Sequence, residues 1–156
     1  MSQWTAITAL QAELNRVNER IETLTRQIKI LRDKIDELTD KITQYENMIN
    51  SLNTANSNAS NAQSNVGTSV NLFHLLGESN SLGDCIESIG SIYGEIGSVI
   101  SSISSAIKNA TKKKNELEEE RNKYIEEKRI LSDNLQSLYE VAENLSAQIE
   151  ELEASL

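Results

Sequence analysis

The chain has 156 residues, a formal charge of −9 from 15 basic and 24 acidic residues, and 38% apolar residues, mostly Ile, Leu, Val and Ala. With no proline, one tryptophan, one phenylalanine and four tyrosines, it lacks the material for a compact aromatic core and for the enclosed pocket that catalysis generally uses. Between Ser51 and Ile107 there is no Lys or Arg, which excludes this stretch as a basic surface for nucleic acid or anionic membrane.

Cys85 is the single cysteine, so neither an internal disulfide nor a Cys-based metal cluster is expected. The opening "MSQWTAITALQAELNR" lacks the basic start and apolar run of a secretory signal, and no stretch reaches the roughly 18 apolar residues of a membrane span. The expectation is a soluble, cytoplasmic chain whose export, where it occurs, needs no cleaved signal peptide.

The first predicted element runs from about residue 3 to 76. Ile7, Leu14, Ile21, Ile28, Ile35, Ile42 and Ile49 form one row, and Leu10, Val17, Leu24, Leu31, Leu38, Tyr45 and Leu52 the other. Alternating spacings of three and four mark these as the a and d positions of unbroken heptads. The same register continues through "NTANSNASNAQSNVG" to Ala59, Val66, Val70 and Phe73, with Asn56 and Gln63 as polar exceptions. That segment reads as helix of modest propensity, with a local break as the alternative.

A turn is expected near residues 77–80. Gly77 suits a helix C-cap, and Ser81 followed by Asp84 resembles a capping box. The second element then runs from about 81 to 156. Its a row is Ile86, Tyr93, Ile100, Ile107, Lys114, Arg121, Lys128, Leu135, Ala142, Ile149 and Leu156. Its d row is Leu82, Ile89, Ile96, Ile103, Ala110, Leu117, Tyr124, Leu131, Leu138, Leu145 and Leu152.

Antiparallel arms place a opposite d when facing residue numbers add to about 159, close to the sum of about 158 or 159 expected from a turn near 77–80. Facing g positions then pair Lys41 with Glu120 and Lys34 with Glu127. The fold expected is all-α: one domain over residues 1–156, a long antiparallel two-helix coiled-coil hairpin with arms of about 110 Å each. Ile at a with Leu at d also favours parallel dimers, so arms that pair with a second copy are the alternative.

The tip half, about residues 53–105, has the most distinctive composition. Gly83, Gly90, Gly97 and Ser104 recur at position e, and Ser60, Gly67 and His74 face them from the first arm. Two readings stand side by side: a smooth flank on which a partner helix docks, or small residues that let the two arms approach each other. Lys114, Arg121 and Lys128 fall at consecutive a positions opposite Tyr45, Leu38 and Leu31. Their stems are expected to cover the seam while the heads reach water or nearby Glu. Trp4 is expected to pack on the end of the second arm near Glu153 to Leu156. His74 reads as a tip residue and Cys85 as structural.

No phosphate loop, nucleophile elbow, metal-ligand spacing or catalytic carboxylate pair stands out. No catalytic, cofactor-binding or metal residue is therefore nominated, no cofactor is expected, and the chain is not read as an enzyme.

A small acidic hairpin without a signal peptide resembles the helical-hairpin proteins of the type VII secretion system of Gram-positive bacteria. In particular it is similar to the accessory proteins of LXG toxins, a WxG-like group. That system reads a Tyr-x-x-x-Asp/Glu signal, and "YEVAE" supplies Tyr139 and Glu143 one turn apart. The Trp-x-Gly motif is absent from the turn, where "LGESNSLG" stands, so the resemblance points to members that lack it.

The resemblance implies a non-enzymatic helical adaptor that binds the helical domain of a larger protein. It would act as a targeting partner or chaperone of an LXG-type toxin, with a second small helical protein in the assembly. A structural coiled-coil homodimer, a spacer or scaffold, is the alternative. A membrane-active tip is a remote one, since "GSIYGEIGSVISSISSAI" is apolar but carries Glu95 and no basic residue.

Overall fold

A computed structural model describes residues 2–76 and 80–156. They form two helices, α1 (Gln3–Leu76, 74 residues) and α2 (Asn80–Ala154, 75 residues), and no strand occurs among the described residues. Residues 77–79 of the expected turn, with Gly77 as its cap residue, lie outside the described residues, and Asn80 is already helical. α2 begins at Asn80, one residue before the expected start, and ends two residues short of the C-terminus.

Ser2 caps α1. Its Oγ accepts from the Thr5 amide at 3.2 Å and its carbonyl from the Ala6 amide at 3.1 Å. One of the four amides that a helix start leaves without a partner is thereby satisfied by the cap side chain. At the other terminus the amides of Ser155 and Leu156 bond the carbonyls of Leu152 and Glu153, tightening the last turn.

The Ser- and Asn-rich part of α1 is continuous helix, without the break held open as an alternative. Thr54, Thr68 and Ser69 donate their hydroxyls to the carbonyls of Asn50, Ser64 and Asn65, four residues back. A polar side chain that bonds its own helix in this way is compatible with helical backbone, although its intrinsic preference is low. Register with the facing helix then decides the conformation.

The two helices pack against each other as an antiparallel hairpin, and the chain divides into two compact units. Unit 1 comprises Met1–Thr39 with Glu118–Leu156, and unit 2 comprises Asp40–Leu117. This division lies away from the compositional change near residues 53 and 105. Within unit 1, Lys34 meets Tyr124 and Thr39 meets Arg121. Within unit 2, Glu46 meets Lys114 and Gln63 meets Tyr93. Residue numbers fall along one helix as they rise along the other, and each pair adds to within three of 159.

The seam follows the a and d rows. Ile7, Val17, Ile28, Leu31, Leu38 and Ile149 are the buried apolar residues of unit 1, and Ile42, Ala110 and Leu117 those of unit 2. All nine are a or d residues. From Thr43 to Asn109 no described residue is fully buried. Two helices alone cover a strict a/d stripe and little more. Alanine and glycine near the tip leave even that stripe half open.

Candidate protein-docking flanks and the polar seam

The e positions of unit 2 share one flank. Gly67, Val70 and Asn71 of α1, with Gly90 and Tyr93 of α2, line a shallow hollow of about 260 Å³. Ser60, His74, Gly83, Gly90 and Ser104 are exposed, whereas Gly67 and Gly97 are half-buried.

A methyl group placed on each glycine separates the two readings position by position. On Gly67 it would lie 3.1 Å from the Tyr93 ring, and on Gly97 it would lie 3.1 Å from Gln63 Nε2. These two glycines serve close approach between α1 and α2. On Gly83, Gly90 and Gly94 the added carbon would meet nothing within 4 Å. Among the described residues, nothing requires those three to lack a side chain. Gly94, at position b beside this flank, has the same open surroundings.

The opposite flank of unit 2, at the g positions between Lys41 and Lys113, is mainly apolar. α2 carries Cys85, Ile92, Val99 and Ala106 at heptad spacing, and α1 carries Met48, Ala55, Ala62, Ser69 and Leu76. Ile92 is 47% exposed and Val99 52%, and Met48, Leu76 and Cys85 are exposed as well. In unit 1 the g positions are mostly polar, among them Glu13, Arg20, Gln27, Lys34, Glu120, Glu127 and Asn134, with Ala6 and the 42% exposed Val141 as apolar exceptions. The apolar run along g is longest in unit 2. A reading limited to a and d rows passes over it, although the spacing signal is present in the sequence.

The basic a residues behave as long stems over the seam. Lys114 Nζ reaches Glu46 Oε1 at 3.7 Å, and both side chains keep substantial exposure. Arg121 donates from Nη1 to Thr39 Oγ1 at 3.4 Å, while its buried Nε has no hydrogen-bond partner. Lys128 is half-buried beside Ile35, Ile125, Arg129 and Ser132. Asn56 Oδ1, at another a position, is also buried without a partner.

Two local expectations are corrected. Lys34 does not close an ion pair with Glu127; its ammonium stands over the Tyr124 ring, 5.2 Å from the centroid, while Glu127 borders the same hollow. The d-position ring presents its face to a cation on the neighbouring g flank, an electrostatically favourable site. Trp4 does not pack on the end of α2. It is 67% exposed and lies against Thr5, Thr8, Ala9 and Ala12 of its own helix. Ile7, 1% exposed, fills the seam at this level, and position e points Trp4 outward.

Tyr139 and Glu143 are exposed on one face of α2, one turn apart. The Tyr139 ring borders a hollow with Ile21, Glu22, Thr25 and Arg26 of α1. Earlier in α2, Arg129 bonds Glu126 at 2.7 and 3.0 Å and Asp133 at 2.8 Å. The Arg129 hydrogen bond, opposed by slight desolvation and aided by its charge, lowers the Glu126 pKa from its ordinary 4.5.

Among the described residues no group of three or more His, Cys, Asp and Glu side chains is placed to hold a metal ion. No described helix is long and apolar enough to cross a membrane. Compared with known proteins, the chain matches no family model, no curated protein and no solved structure.

Proposed function

We propose that this chain is a non-enzymatic helical adaptor whose unit 2 docks on the helical domain of a larger protein. The observation that carries this reading is the open space around Gly83, Gly90 and Gly94. Glycine inside a helix costs up to about 1 kcal/mol relative to alanine. Three such positions with no internal reason to be bare favour an external one, the close approach of another backbone.

The specific form follows the type VII secretion resemblance. The partner is the helical domain of an LXG-type toxin, and Tyr139 with Glu143 contributes an exposed export signal. Ser60, Gly67, His74, Gly83, Gly90, Gly97 and Ser104 form the docking flank. Cytoplasmic synthesis, with export alongside the partner, completes the proposal.

Titration calorimetry of the full chain with a purified LXG-type helical domain tests it. A stoichiometric complex is expected, weakened at least tenfold by Gly90→Leu and unaffected by Tyr139→Ala. Tyr139→Ala is expected instead to abolish export of the complex from a secreting cell. Absence of binding, or binding indifferent to Gly90→Leu, removes the adaptor reading. Binding without any effect of Tyr139 on export removes the secretion signal alone.

A further inference from the structure

We infer that the apolar g flank of unit 2 is an interface between two copies of this chain, joined side by side with their tips at the same end. This goes beyond the adaptor reading and uses the opposite flank. An a/d stripe is what one partner helix covers, whereas an a/d/g face is wide enough to need further helices. Unit 2 carries the wider face on both of its helices, and between Thr43 and Asn109 none of its described seam residues is fully buried.

Shape selects a second copy as the occupant. The flank has a ridge on α2, Ile92 and Val99, and a trough on α1, Ala55, Ala62 and Ser69. A two-fold axis parallel to the helices lays α2 of one copy along α1 of the other at equal height. Ile92 then faces Ser69 of the second copy, and Val99 faces its Ala62. The same contacts form twice, as a two-fold interface requires.

Charge allows the same arrangement and no reversal of partners. From Ser51 to Leu76, α1 carries neither acid nor Lys or Arg, while α2 carries Asp84, Glu87 and Glu95. Glu95, on the rim beside Ile92 and Val99, would lie near the uncharged Asn65 of the second copy. Placing α2 on α2 would instead bring like carboxylates together across a thin apolar strip.

Sedimentation equilibrium of the full chain is the test, with helical circular dichroism as the folding control. The expected species is a dimer, twice the 17.4 kDa chain mass, at micromolar concentration. Ile92→Glu with Val99→Glu is expected to weaken association at least 100-fold with helicity retained, since both side chains already face outward. Ser60→Glu with Ser104→Glu, on the other flank, is expected to leave the dimer intact.

A spin label on Cys85, the single cysteine and exposed, reads the orientation. Adjacent tips put the two labels within about 30 Å, given interhelical distances near 10 Å. A monomer, a dimer that survives both glutamates, one lost through the e flank, or labels without mutual coupling overturns the inference.

Discussion

At the scale of single residues, the most telling positions are those where a side chain is missing or is left without a partner. Gly90→Ala and Gly94→Ala add a methyl group to open space, so each should stabilise the chain by about 0.5–1 kcal/mol through helix propensity alone. Gly67→Ala should gain less, because the Tyr93 ring edge must first give way. Urea denaturation of the three variants checks this ordering. Arg121 offers the converse case. Its Nε is buried without a partner, at a cost that outweighs a weak bond to Thr39. Arg121→Leu should therefore raise stability by about 1 kcal/mol, read from the same denaturation midpoint. The Glu126–Arg129 pair sets a pH dependence. Because the Glu126 pKa is lowered on folding, its contribution is present above about pH 4.5 and is lost as pH falls through the depressed folded value. Acid loss of helicity should begin at a higher pH in Arg129→Gln than in the unmodified chain, as followed by circular dichroism.

At the scale of the elements, each helix is held by its facing stripe far more than by its own propensity. Isolated helices are marginal in water, and α1 includes a long Ser- and Asn-rich segment that favours helix weakly. Ile42, 3% exposed, sits where the stripe is well covered, and Ile96 where it is half open. Ile42→Ala should cost about 2–4 kcal/mol, whereas Ile96→Ala should cost about 1–2 kcal/mol because less apolar surface returns to water. The mutant denaturation midpoints decide between this graded seam and a uniform one. Local ion pairs add little by comparison. Arg16 with Glu13 and Arg129 with Asp133 are exposed contacts within one helix, of the kind worth a few tenths of a kcal/mol.

At the scale of the whole molecule, burial is unequal between the units. Six of the buried apolar residues belong to unit 1, and the three of unit 2 lie at Ile42, Ala110 and Leu117. Amide hydrogen exchange should accordingly be fast from about residue 53 to 76 and 83 to 105 and slow around Ile28–Leu38, since exchange tracks local opening. A partner or a second copy that covers unit 2 should slow exchange there, while Ile28–Leu38 stays unchanged. Equal protection throughout the free chain would remove the basis for both docking flanks. Such unequal coupling also means that unfolding is best followed by more than one probe.

Two long helices were legible in the amino-acid pattern, because heptads extend through residues of poor helix propensity. An expected turn near 77–80 aligned the a row of one arm with the d row of the other and so favoured antiparallel pairing, but the Ile and Leu rows suited parallel dimers as well, and the contacts between α1 and α2 exclude that alternative within the chain. The e-flank glycines and the basic a residues were legible in the same way, because position in a heptad follows from counting. What each of those residues faces follows from the packing of α1 on α2. Gly67 and Gly97 meet a neighbour and Gly83, Gly90 and Gly94 meet none, although their composition is identical. Lys34 turns to an aromatic ring, Arg121 leaves one nitrogen unsatisfied, and Trp4 stays in water. Periodicity specifies which side of a helix a residue occupies, but exposure and partnership depend on the depth and size of the side chains across the seam.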